Sequence, residues 1–314
     1  MGTRYQGGTD QLKKNMRKKM IIQEGFMPFM EYRTYYRIVG EQKDARKAPL
    51  LCLHGGPGST HNYMEMLDRI ADTGRQVISY DQIGCGESFV EGRGDLWKAQ
   101  TWINELKQIR NYLHLDKVHI LGQSWGGMLA IQYMIAEKTC GVQSLILSST
   151  LSSSALWSHE QHRRIHFLTQ QDQEAIARAE ISGDYTAEDY LVANEHFMER
   201  YCAGEMDAQT PECLTRPKKI GTESYLYAWG PNEYTPSGSL KDYDYTDRLG
   251  EILVPTLIVS GTNDLCSPLI AKTMYDRIPD AVWELFDGAR HMCFAEQNDK
   301  YCEMLQKWLM EKER

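Results

Sequence analysis

Residues 118–127 read Val118-His119-Ile120-Leu121-Gly122-Gln123-Ser124-Trp125-Gly126-Gly127, and Met128 to Ala136 follow as MLAIQYMIA. Val118–Leu121 has the character of a short buried strand, and the run from Gly126 to Ala136 has apolar residues at helical spacing. Between them lies the pattern G-x-S-x-G at 122–126. A sharp turn from strand to helix is the context in which that pattern carries chemistry. The turn forces Ser124 into a strained backbone conformation, while the flanking glycines let strand and helix approach without side-chain clashes. Ser124 Oγ then projects above a sheet, beside the free amides of a helix N-terminus.

Outward from this stretch, short apolar runs alternate with helical patterns. Arg33–Val39 alternates like one partner of an antiparallel edge hairpin. Pro49–Leu53, Val77–Tyr80, Ser144–Leu147, Pro255–Ser260 and Val282–Phe286 are strand-like runs of the kind parallel strands show when both faces are covered. Helices are predicted over Leu96–Leu113, Leu269–Arg277 and Asn298–Met310. The fold class is therefore α/β, a mostly parallel central sheet with helices on both faces. The rhythm fails between Leu151 and Asp247, where the chain is polar, aromatic-containing and helix-like. Residues 22–150 and 248–314 are read as the core, and 151–247 as an inserted helical cap over the sheet's C-terminal edge, where α/β sites lie. Residues 1–21, Gly-rich and then basic without apolar periodicity, are expected to be a disordered extension. No internal repeat is apparent.

A chain of 314 residues can bury a large core. Its net charge of −8 argues against nucleic acid or anionic membrane as the main partner. No apolar run is long enough to span a bilayer, and the basic stretch Lys13–Lys19 precedes only Met20-Ile21-Ile22 where a signal peptide needs a longer apolar segment. The cytoplasm is the expected location. Cysteines at 52, 85, 140, 202, 213, 266, 293 and 302 show no C-x-x-C spacing and read as buried reduced thiols. No metal or organic cofactor is implied, since no i, i+4 histidine pair carries an acid in zinc-ligand spacing.

A serine hydroxyl needs a base to take its proton and a carboxylate to orient that base. With a G-x-S-x-G turn the expected chain order is Ser, Asp or Glu, His. Asp264 follows the strand-like run ending at Ser260, and His291 follows the one ending at Phe286. Asp287 is the competing carboxylate, but it lies too close in sequence to His291 to approach the ring from behind. Backbone donors for a developing oxyanion are expected from Trp125, after the nucleophile, and from Gly56 in the loop His54-Gly55-Gly56-Pro57-Gly58. His54 is expected to hold that loop by hydrogen bonding rather than to act as base. An aspartate in place of Ser124 would have suited dehalogenase chemistry, which the serine excludes.

Five segments, HGGPG (54–58), YDQIGCGES (80–88), GQSWGG (122–127), GPNEYT (230–235) and GTNDLCSP (261–268), together resemble the proline iminopeptidase family of α/β-hydrolases. The resemblance runs from about Ile22 to the C-terminus and includes the cap. It implies an α/β-hydrolase fold and release of N-terminal residues, preferentially proline, from small peptides through a Ser124–His291–Asp264 triad and an acyl-enzyme. It also implies Gly56 and Trp125 as the oxyanion hole and Glu233 as the carboxylate that holds the substrate's α-ammonium, an interaction that a partly desolvated pocket strengthens. One departure matters: the second acidic anchor that some members carry directly after the catalytic aspartate is Leu265 here. The amine then leans on Glu233 alone or on another cap acid, Glu195 or Glu205. An apolar slot for the proline ring is expected from Trp125, Phe89, Tyr225 and Trp229. Amino-acid amides such as prolinamide are alternative substrates with the same free amine, and a general carboxylesterase is the alternative without one. A binding protein built on the same fold is disfavoured by the complete triad. Cys266 and Cys293, each two residues beyond a triad member, are expected to pack structurally and to make the site sensitive to mercurials.

Overall fold

Short aliphatic runs form eight strands in the computed structural model, which describes residues 20–44, 46–138 and 140–313. They are β1 (Ile22–Phe29), β2 (Tyr32–Val39), β3 (Leu50–Leu53), β4 (Val77–Tyr80), β5 (Val118–Gln123), β6 (Val142–Ser148), β7 (Thr256–Gly261) and β8 (Ala281–Phe286). The sheet order is β1-β2-β4-β3-β5-β6-β7-β8. The β1–β2 and β2–β4 pairs are antiparallel and every later pair is parallel. Ten α-helices are present among the described residues: α1 (Ala99–Tyr112), α2 (Trp125–Glu137), α3 (Ser154–Ile165), α4 (Gln170–Ser182), α5 (Glu188–Tyr201), α6 (Glu212–Thr215), α7 (Thr222–Ala228), α8 (Pro268–Tyr275), α9 (Cys293–Glu296) and α10 (Asn298–Glu311).

The central strands lack polar alternation because both of their faces are buried. In β3, Leu51 and Leu53 join the α1 and α2 side, whereas Leu50 and Cys52 join a second layer with Leu305 and Trp308 of α10. Two readings need correction. Strand β1 went unread, because it is an edge strand whose polar residues, Gly25 and Pro28 hide its period; its first four positions are exposed or partly so. Paired antiparallel with β2, it completes the edge hairpin of which Arg33–Val39 is expected to be one partner. Helix α1 begins at Ala99, not Leu96: Leu96 and Trp97 are buried ahead of it, so their apolar character serves the core rather than a helical face. The expectation for residues 1–21 lies outside the described residues apart from Met20 and Ile21.

Between β6 and β7 the chain carries α3 to α7 and, among the described residues, no strand. This excursion closes at its base: Ser153 bridges Asp244, Ser154 N–H donates to Tyr243 O and Tyr245 N–H to Ser152 O. No helix among the described residues is long and apolar enough to cross a membrane.

Candidate active site

The C-terminal ends of β3, β5, β7 and β8 bring four loops together. Ser124 follows β5 with φ 55° and ψ −124°, a conformation a side chain adopts only under constraint. The constraint is steric. A Cβ on Gly126 would lie 2.1 Å from Leu53 O, and one on Gly122 would lie 2.3 Å from Gly126 O, so helix α2 can leave β5 only with glycines at both places. The Thr150 hydroxyl donates to Ser124 O at 2.6 Å and steadies the turn.

Asp264, fully buried after β7, is held by three N–H groups. Cys266 N–H and the His291 ring lie 2.8 Å from Oδ1, and Gly261 N–H lies 3.2 Å from Oδ2. An ionised carboxylate only accepts, so the proton on His291 sits on Nδ1 and leaves Nε2 as the basic nitrogen. Asp287 is exposed and offers its backbone carbonyl to Gln297. Ser124 and His291 line one cavity of about 590 Å³, although no hydrogen bond joins Ser124 Oγ to the ring among the described residues. Such contacts commonly tighten only once substrate is bound.

The loop after β3 is fixed from below. Nδ1 of buried His54 faces Gly55 O at 2.9 Å, and Nε2 accepts from Gln82 N–H at 3.0 Å. Burial pulls the His54 pKa down to about 4, so the ring is neutral and its two bonds fix the tautomer. Gly55 N–H donates to the Tyr63 hydroxyl (2.5 Å), which donates to Gln123 Oε1 (2.7 Å). With Gly55 engaged, the Gly56 amide, at φ +115°, has no acceptor among the described residues, and neither has the Trp125 amide. Two unpartnered donors therefore flank the serine. Tyr63, Gln123 and Thr150 went unrecognised in the sequence because nothing in their neighbours signals a contact across the fold.

Glu233 lines the same cavity. Its loop is tied by Asn232 Oδ1, which accepts from Tyr234 and Thr235 N–H, and by Trp157 Nε1–H donating to Glu233 O. The Tyr225 hydroxyl donates to Oε1 at 2.8 Å, and the other oxygen has no hydrogen-bond partner among the described residues. Burial pushes the Glu233 pKa above the usual carboxylate range, partly opposed by His291 and by the Tyr225 bond.

The two other candidate acids between β6 and β7 separate. Glu205 is exposed yet lines the cavity, whereas Glu195 lies on an exposed face of α5 and is not among the lining residues. Leu265 is buried in the core, so no acid stands beside Asp264. The expected apolar slot is also revised. Tyr225 lines the cavity, but Trp125 packs edge-on to Trp102 and bonds Gln82, Trp229 packs against Trp157, and Phe89 lies under Lys219. Apolar lining comes instead from Met198, Leu214 and Ile220. Cys266 and Cys293 are fully buried, and burial pushes the Cys293 thiol up to about 12. The thiol on the cavity wall is that of Cys202.

The segment between β6 and β7 meets the loops that carry Asp264 and His291. Tyr201 O accepts from both Leu265 N–H (3.2 Å) and His291 N–H (3.1 Å), and the buried Arg164 guanidinium donates to Asp264 O. His54, Asp81 and Cys85 are close enough to be weighed as metal ligands. Their atoms are already engaged, however: His54 as above, and Asp81 by His61 and Glu87 N–H.

A family model described as the alpha/beta hydrolase fold matches residues 48–297. A proline iminopeptidase of Clostridioides difficile strain 630 is 59% identical over 290 residues, covering 92% of this chain and 99% of that one. Another, of Lactobacillus helveticus strain DPC 4571, is 56% identical over 292 residues, covering 92% and 98%. The crystal structure of a proline iminopeptidase of Mycobacterium smegmatis superimposes with a TM-score of 0.82 at 29% identity, covering 93% of this chain and 99% of that one.

Proposed function

This chain belongs to the proline iminopeptidase family of α/β-hydrolases, and from that premise we propose that it is a serine exopeptidase releasing N-terminal proline from small peptides. The observation that carries the reading is the presence of Ser124, His291 and Glu233 on one cavity wall, with Asp264 behind the ring at 2.8 Å. In this reading residues 151–247 serve as the cap, and the free oxygen of Glu233 takes the prolyl ammonium. His291 Nε2 removes the Ser124 proton as Oγ attacks the prolyl carbonyl, and the oxyanion forms between the Gly56 and Trp125 amides. The imidazolium, stabilised by Asp264, gives its proton to the leaving amine as the C–N bond breaks. Water, deprotonated by the same ring, then attacks the prolyl-serine ester and frees proline. We assign the activity to the cytoplasm on the chain's composition and free thiols.

The test compares release from a free prolyl 4-nitroanilide with release from its N-acetylated form, beside alanyl and leucyl analogues and a plain acyl ester. Preference for the free prolyl substrate that acetylation removes is the expected result. Equal or faster turnover of the acetylated or acyl substrates would move the assignment to a general esterase.

A further inference from the structure

The cavity is charged unevenly. Two cations line it, Arg290 and Lys218. Arg290 is neutralised by Glu296 at 2.7 Å and also donates to Glu199 O. Lys218 has no carboxylate or hydrogen-bond partner among the described residues, although burial around it pulls its ammonium pKa down. An unpaired ammonium on the wall of a cavity is available to a bound anion.

Its position suggests which anion. Lys218 belongs to the stretch joining α6 to α7, which is tied to the proposed oxyanion loop by Gly221 N–H donating to Gly58 O at 2.7 Å. Lys218 is exposed, so it stands at the rim, while Glu233 is drawn further in. A peptide with its ammonium on Glu233 and its first carbonyl at Ser124 must run outward, because the part beyond that carbonyl has to depart. The last group of a short peptide to reach the rim is its C-terminal carboxylate.

We propose that Lys218 binds the C-terminal carboxylate of the substrate, so that this cavity selects short zwitterionic peptides over amidated or longer ones. The inference rests on the aminopeptidase reading above and adds a second charged contact at the other end of the peptide. Being at the rim, the contact is weakened by salt. An exposed charge pair of this kind favours the free acid by about fivefold in kcat/KM.

The experiment measures kcat/KM for Pro-Gly, Pro-Gly-Gly and Pro-Gly-Gly-Gly, each as free acid and as C-terminal amide, in the wild type, Lys218→Met and Lys218→Glu. The acid-to-amide ratio is taken within each protein, so a general loss of activity cancels. The expected result is a ratio of about five at one peptide length in the wild type, falling in high salt, near one in Lys218→Met and below one in Lys218→Glu. A wild-type ratio near one at all three lengths, or a ratio unchanged in both variants, overturns the assignment. If the wild type turns over all six peptides but fails on this ratio, only the Lys218 contact is lost. If it releases proline from none of them nor from prolyl 4-nitroanilide, the aminopeptidase reading falls first and this inference with it.

Discussion

Replacing Glu233 by glutamine keeps the shape of the side chain and an acceptor for the Tyr225 hydroxyl, but it removes the charge proposed to hold the substrate amine. A unit charge pair about 4 Å apart at an effective dielectric of about 20 is worth about 4 kcal/mol. Desolvation of the incoming ammonium opposes this and leaves about 2–3 kcal/mol, within the range for losing one partner of a buried pair. At about 1.4 kcal/mol per decade, kcat/KM for free prolyl 4-nitroanilide should fall about 30- to 150-fold. Hydrolysis of 4-nitrophenyl acetate, which carries no amine, should change little. A pH profile adds an independent readout. The wild type needs Glu233 ionised, and burial holds its pKa above the ordinary carboxylate range, so prolyl turnover declines as pH falls through that raised value. Glu233→Gln should lack that particular decline. Equal losses on the amine and acyl substrates would refute the anchor, because they would mean that the substitution had damaged the triad or the cavity as a whole.

Asp264→Asn should leave the fold intact and lower kcat about 10⁴-fold, because an amide opposite Nδ1 favours the wrong tautomer of His291; single-turnover kinetics would check it. Gly126→Ala forces a methyl against Leu53 O at 2.1 Å, an overpacking expected to cost about 1–3 kcal/mol in thermal or urea unfolding; an unchanged stability would show that β3 and α2 can separate. Buried His54 and Glu105 give stability opposite pH dependences that offset each other between about pH 4.3 and 6.5 and leave a net loss as pH rises from there towards 8. The His54 pKa is depressed to about 4, so stability is lost as pH falls from about 6.5 through that value. Buried Glu105, which accepts from Ile83 N–H and the Thr34 hydroxyl, is raised to about 8, so stability is lost as pH rises from about 4.3 towards 8. Glu105→Gln should remove the net loss between about pH 6.5 and 8 in denaturation titrations. Mercurials should inhibit through Cys202, not Cys266 or Cys293, and Cys202→Ser should resist them; continued sensitivity of that variant would place the reactive thiol elsewhere.

Several features of this molecule follow from the chain alone because they depend on neighbours in sequence. The turn at Ser124 is local: Gly122 and Gly126 are required by contacts within one strand, one turn and one helix, and that requirement is written as a short motif. The central strands are legible because burial on both faces leaves β3, β5 and β7 with hardly any polar interruption. The positions of Asp264 and His291 were inferred from chain order, since each directly follows a strand. Strand β1, half exposed and broken in pattern by Gly25 and Pro28, gave no comparable signal.

Other features required the folded structure, because they join residues far apart along the chain. Only folding separates Glu205, which reaches the cavity, from Glu195, which sits on an outward face of α5. The same is true of Trp125 and Trp229, whose rings are spent on core packing, and of Cys202, which faces the cavity where Cys266 and Cys293 do not. The support of the Leu265 and His291 backbone by Tyr201, and of the glycine loop by Tyr63 and Gln123, likewise spans distant segments. A helix or strand period reports which residues share a face, but which face meets a cavity is settled by how the elements pack on one another. The chain alone therefore determined the reaction type, through local backbone geometry, and tertiary packing decided which side chains line the cavity.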